Sequence, residues 1–181
     1  RESEFDEDLF QAWAQGRTGF PVVDAAMRAM HRYGWINFRL RALLISFACF
    51  QLWLHWRKPA LYLARLAVDY EPGIHFFNIQ SQSGSQEINQ WNILDPVKHS
   101  QQIDPDGTFI KRLCPELAEL DGQFLHSPWL MSHGEQVINS CVLGEDYPFR
   151  VVDHERAAQL ALQKRDQWLA RNDGESKPIE S

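Results

Sequence analysis

Basic residues, cysteines and long apolar runs are all scarce in this chain, and each shortage removes a class of function. Lys and Arg total 18 against 24 Asp and Glu, a formal charge of −6 over 181 residues. Phosphate backbones are gripped by clustered cations, so the chain is no basic nucleic-acid sponge, although a local basic patch stays open. The cysteines, Cys49, Cys114 and Cys141, are odd in number and far apart. They fit neither a disulfide framework nor a close-spaced metal pattern. No second His or Cys stands at zinc spacing, and a reducing cytoplasm is the natural compartment. The longest apolar run, Ala42 to Leu54, is broken by Ser46 and Gln51 and is too short to span a bilayer. Its start, Glu2-Ser3-Glu4-Phe5-Asp6-Glu7-Asp8, is acidic and carries no signal-peptide pattern. No Walker loop, nucleophile elbow or dinucleotide glycine fingerprint occurs. No stretch alternates apolar and polar residues for long, so strands are not expected. Without an initiator Met, the chain reads as one domain of something longer.

Apolar residues make up 44% of the chain, with seven Trp and eleven Phe. That is enough for a core, and for flat surfaces that pack on one another or on a flat ligand. Helical spacing of Phe5, Leu9, Phe10 and Trp13 predicts a helix over 4–15. A second runs from Phe20 to Tyr33, with Pro21 in its first turn, a stripe of Val22, Val23, Ala26, Met27 and Met30, and Gly34 at its end. Asp24 and Arg28, four apart, are placed to pair along its surface. A central helix is expected from Trp35 to Trp56, apolar on most sides and stopped by Pro59. A shorter helix covers Ala60 to Val68. Pro72 and Gly73 then make an irregular stretch, followed by turns and loops from 75 to 108. Asp95-Pro96 is placed to open a short helix, and Asp104-Pro105-Asp106-Gly107 to form a turn. A short helix over Phe109 to Leu117 ends near Pro115. The last clear helix is Asp153 to Arg171, capped by Asp153. Residues 172–181 read as a disordered tail.

Polar groups crowd the stretch from 34 to 84. Arg39 and Arg41 are two apart, roughly 200° around a helix, so they face different directions. Asn37 and Arg41 share a face. Asp69 and Glu71 either cap and turn the chain or supply a carboxylate that pairs with Arg41 to orient a polar ligand edge. His75 is either a packing residue or a functional one. Trp53 and Trp56 either pack or relay an electron. Spacing alone leaves each of these open.

The motifs nevertheless run in a familiar order. Gly16-x-Thr18-Gly19-Phe20-Pro21-x-Val23-Asp24-Ala25-Ala26-Met27-Arg28 is followed by Gly34-Trp35, Arg39-x-Arg41, Ser46-Phe47 and Trp56-Arg57. Asp104-Pro105-Asp106-Gly107-x-Phe109-Ile110-x-Arg112, Pro115-Glu116-Leu117 and His126-x-Pro128-Trp129 complete the series. Over about residues 10 to 130 this resembles the C-terminal part of the FAD-binding helical domain of photolyases and cryptochromes. The resemblance implies an all-α fold over residues 1–171, FAD as cofactor, and light-driven electron transfer from reduced flavin to pyrimidine dimers in UV-damaged DNA. It implies that an N-terminal antenna domain and the first half of the FAD domain are absent from this chain. Arg41 and Asp69 resemble the arginine–aspartate pair beside the isoalloxazine. Glu71 resembles a second acid near flavin and adenosine, and His75 falls near the position that approaches flavin N5. Arg39 resembles an arginine facing the DNA lesion, and Trp56 the middle tryptophan of an electron relay. Asn37 and Phe38 stand in the cofactor-facing positions where the family usually has His-Asn. Asn78-Ile79-Gln80-Ser81-Gln82 replaces its usual Trp-Gln-Trp. Those departures leave two other readings: a flavin-binding photoreceptor without repair, and a helical scaffold that no longer binds FAD.

Overall fold

The computed structural model describes residues 5–84, 91 and 93–173, and among them every regular element is helical. The chain begins with α1 (Glu7–Ala14), capped by the Asp6 carboxylate on Leu9 N–H at 3.0 Å. Its Phe10 and Trp13 are buried, and the Trp13 indole N–H donates to Leu44 O at 3.1 Å. α2 (Pro21–Tyr33) is the central strut; it packs against α1 and against helices that follow it in the chain. Its expected stripe is fully buried, and Gly34 closes it in the left-handed region at φ 67°.

Asp24 and Arg28 do not pair along a surface. Asp24 is fully buried, with its carboxylate accepting from Thr18 N–H, Thr18 Oγ1–H, Gly19 N–H and Tyr147 O–H at 2.7, 2.7, 3.1 and 2.5 Å. Burial pushes its pKa up against those donors. Arg28 turns to Glu116 at 2.6 Å and to the carbonyls of Gly16 and Leu113. Helical spacing brought the two residues to one side of α2, but the donors of the preceding loop claim Asp24 first. The same loop meets the 147–151 segment, where Val151 N–H donates to Thr18 O at 2.9 Å.

The expected central helix is shorter than Trp35–Trp56. α3 (Phe38–Ser46) starts only after Asn37, whose side chain caps Leu40 N–H at 3.0 Å. It widens into a π turn, Phe47–Gln51, where Leu52 N–H reaches back five residues to Phe47 O at 3.0 Å. Trp53 then adopts φ 55° and ends the helix. Ser46 Oγ accepts from Leu94 N–H at 3.0 Å and Gln51 Nε2–H donates to Leu94 O at 2.9 Å, so the wide turn is buttoned to the 93–95 segment.

Two prolines lie in the first turns of helices where stops or breaks were expected. α4 (Arg57–Leu66) has Pro59 in its first turn, where a missing N–H costs nothing. α5 (Pro72–Gln82) starts at Pro72 behind the Glu71 cap, in a region expected to be irregular. The rest of the chain continues with α6 (Pro96–Ile103), α7 (Thr108–Leu113), α8 (Gly122–His126), α9 (His133–Ile138) and α10 (His154–Asp173). Asp95 caps α6 as its sequence implied, and both Asp104 oxygens cap α7 across the Gly107 turn. Asp153 caps α10, which runs two residues past the expected end; of the expected tail, 174–181 lies outside the described residues.

Candidate functional site

One cavity of about 160 Å³ gathers α2, α3, α4, α5 and the 67–71 loop around a single ion pair. Arg41 projects from the second turn of α3. Its Nη2 donates to both Asp69 oxygens at 2.7 and 2.8 Å, and its Nε–H donates to Ile36 O at 3.1 Å. Its Nη1 makes no hydrogen bond among the described residues. The pair is partly wet: the Arg41 side chain is 26% exposed and that of Asp69 43%. An exposed pair of this kind stabilises a fold by about 1 kcal/mol or less. The 67–71 loop is held by Val68 N–H on Gly34 O at 3.0 Å, which fixes Asp69 relative to α2 and α3.

Around this pair the wall is largely apolar: Met30, Phe38, Ala42, Ile45, Leu63 and Ile79. α5 adds His75, Asn78 and Gln82 from one face. His75 Nε2 lies 2.9 Å from Ala60 O, so that nitrogen carries the proton and Nδ1 the lone pair. Burial lowers the His75 pKa, and the Arg41 charge lowers it further against the pull of Ala60 O and Asp69, so the ring is neutral at pH 7. The Tyr70 ring stands edge-on to it at 5.4 Å. Glu71 sits at the rim, accepting from Ile74 N–H at 2.7 Å.

Five of the eight residues singled out in the sequence therefore meet here: Phe38, Arg41, Asp69, Glu71 and His75. Three do not. Asn37 is exposed and occupied as a helix cap, so it does not join Arg41 at the cavity. Arg39 points away, exposed and without a partner among the described residues, as its angular offset from Arg41 requires. Trp56 heads α4 with its ring 5.6 Å from that of His55, outside the cavity lining. Asn78 and Gln82 were missed as site residues. Their i, i+4 spacing with Ile74 was visible, but only if Pro72 is taken as a helix start.

A sequence model described as the FAD binding domain of DNA photolyase matches residues 1–167. The chain belongs to the photolyase/cryptochrome family. It is 38% identical over 159 residues to a deoxyribodipyrimidine photo-lyase from Alkalihalophilus pseudofirmus, covering 87% of this chain and 33% of that protein. It is 33% identical to cryptochrome-1 of Anopheles gambiae, over 82% of this chain and 28% of that one. Among solved structures, a Synechocystis cryptochrome superposes with a TM-score of 0.85 at 32% identity, covering 90% of this chain and 33% of that one. A class III photolyase from Agrobacterium tumefaciens gives 0.84 at 30% identity, covering 91% and 35%. The chain thus spans about a third of the length of the curated relatives it matches. The all-α class is that of the family's FAD-binding domain, and FAD is its cofactor.

The residues present fit a flat, polar-edged ring. The wall offers apolar faces, a cation with an unused Nη1, and two amides. Pockets that enclose a cofactor hold ~300–1,000 Å³, so a cavity of about 160 Å³ is too small to enclose one by itself. Among the described residues no helix is long and apolar enough to cross a membrane.

Proposed function

We propose that this chain is the C-terminal wall of a photolyase/cryptochrome flavin site, and that the whole protein moves an electron from photoexcited reduced FAD to a pyrimidine dimer in DNA. The observation that carries this reading is the Arg41–Asp69 pair held at the mouth of an apolar cavity. Such a pair adds little to stability while exposed, and it presents a fixed cation where a ring carrying negative charge would lie. Bound FAD would supply the light absorption and the transferable electron. The chain's own part is to bind and to shield. Arg41 places positive charge, with Asp69 fixing its orientation. Phe38 and Ile45 exclude water from one face. His75, neutral and tied to Ala60 O, offers a lone pair without adding charge. Glu71 holds the head of α5 in place. Arg39, exposed and outside the cavity lining, is assigned to DNA, and Trp56 to electron exchange with the surface.

Phe38 supports a second reading, a photoreceptor without repair. It is 56% exposed and puts a hydrocarbon ring where an amide would serve a lesion. The first experiment is the visible absorption spectrum of the purified chain with added FAD. A bound-flavin band that weakens about tenfold in affinity for Asp69→Asn supports the site; no flavin binding by the unmodified chain refutes it. A blue-light dimer-repair assay on the whole protein separates repair from signalling.

A further inference from the structure

The inner face of α5 repeats with a helical period: Ile74, His75, Asn78, Ile79 and Gln82 all line the cavity. Two of these positions carry primary amides one turn apart. Both are half-buried, and neither side chain has a hydrogen-bond partner among the described residues. The same lining includes Phe38, Ala42, Ile45 and Met30, none of which has a polar side chain. Once covered by a ligand, an unpaired amide against apolar side chains is a cost that Leu or Met at the same position would avoid. Neither amide caps a helix or bridges two elements. α5 ends on its own, Ser83 N–H donating to Ile79 O at 2.9 Å. The same lining holds other groups with spare hydrogen-bonding capacity, the unused Nη1 of Arg41 and the Nδ1 lone pair of His75.

We infer that Asn78 and Gln82 are the ring-recognition pair of this wall, two amides that exchange hydrogen bonds with the edge of a flat heterocycle while Arg41 meets its charge. The inference rests on the flavin reading above and adds the chemistry that would select the ring. A primary amide donates and accepts side by side, so it matches an edge on which carbonyl and N–H alternate. The imide edge of a flavin is of that class. A purely hydrocarbon ring, or one whose imide nitrogen is alkylated, is not. The apolar faces supply affinity and the amides supply selection, because a buried amide left unpaired rejects the wrong edge.

The test uses the 181-residue chain and two probes, lumiflavin and its imide-methylated analogue, followed by quenching of flavin fluorescence. The unmodified chain should prefer lumiflavin by about tenfold or more, the scale of one or two hydrogen bonds. Gln82→Leu and Asn78→Leu should each lower lumiflavin affinity about three- to tenfold, and the double variant should lose the preference. A measurement on the unmodified chain guards against misfolding of the variants. The side-chain NH2 resonances of Asn78 and Gln82, assigned by conservative Asn78→Asp and Gln82→Glu variants, should shift when lumiflavin is added. If lumiflavin binds but those resonances stay fixed and the methylated analogue binds equally well, the amide pair is refuted and the flavin reading stands. If neither flavin binds, both fall.

Discussion

Gly34 links the frame of the fold to the ion pair, and replacing it tests that link. It ends α2 at φ 67°, and its carbonyl accepts from Val68 N–H at 3.0 Å, one residue before Asp69. A Cβ at this position would lie 2.5 Å from Val68 Cγ1 and 3.0 Å from Leu66 O. Left-handed backbone costs a residue with a Cβ about 1 kcal/mol. Overpacking adds about 1–3 kcal/mol. Val68 is 78% exposed and can swing aside. The Leu66 carbonyl is backbone and cannot, so the lower end of the packing range applies. Gly34→Ala should therefore lose about 2 kcal/mol in urea denaturation, or roughly 4–8 °C in Tm for a domain of this size. Val68→Ala in the same chain should recover part of that loss and leave the conformational share. Flavin affinity should fall together with stability, because the loop that moves carries Asp69. A Gly34→Ala chain within about 0.5 kcal/mol of the parent, the range of an ordinary surface change, would refute the argument.

Three other outcomes follow from the same geometry. Asp24→Asn keeps one acceptor but turns an NH2 toward Gly19 N–H, which cannot reverse its role, so the fold should lose about 3 kcal/mol by denaturant titration, and a loss under about 1 kcal/mol would contradict the network. The folded His75 pKa is lowered from 6.5, so the unfolded chain binds the proton first; stability should be fully present above that value and fall as pH drops through it, with a flatter profile for His75→Gln in melts between about pH 7 and 5. Arg39→Ala in the whole protein should weaken DNA binding uniformly across sequences and reduce the salt slope by about 1, whereas an unchanged slope removes Arg39 from the DNA face.

Much of the frame was legible because it depends on local rules. The stripe of α2, the Gly34 stop, the caps Asp95 and Asp153 and the Asp104–Gly107 turn all follow from nearest-neighbour chemistry, and each stands where its residues imply. What went astray was decided by distant partners. Nothing between Ser46 and Trp53 announces a π turn; it exists because Leu94, more than forty residues on, is bound by Ser46 and Gln51. Asp24 looked like a surface charge because its partner Tyr147 lies 123 residues away. The prolines misled for a simpler reason: Pro59 and Pro72 forbid continuation of a helix but suit its first turn, and the sequence does not say which applies. The site shows the same division. Arg41 with Asp69 followed from spacing and family resemblance, while Asn78 and Gln82 depended on α5 being a helix.

The half-open state of the ion pair is the part of the design that needs a partner to make sense. With Arg41 26% and Asp69 43% exposed, both side chains stay open to water. A ring laid over the wall would displace that water and leave two charges in an apolar setting, where attraction between them does not recover the cost of desolvation without further hydrogen bonds. The wall holds such bonds ready: Nη1 of Arg41, the lone pair of His75 Nδ1, and the amides of Asn78 and Gln82. A ligand that lacked matching groups would bury the pair at a loss and be rejected, whatever its apolar area. Selectivity at this wall thus comes from what the ion pair demands on being covered. Hence substitutions at Asn78 and Gln82 should change which rings bind far more than how stably the helices fold.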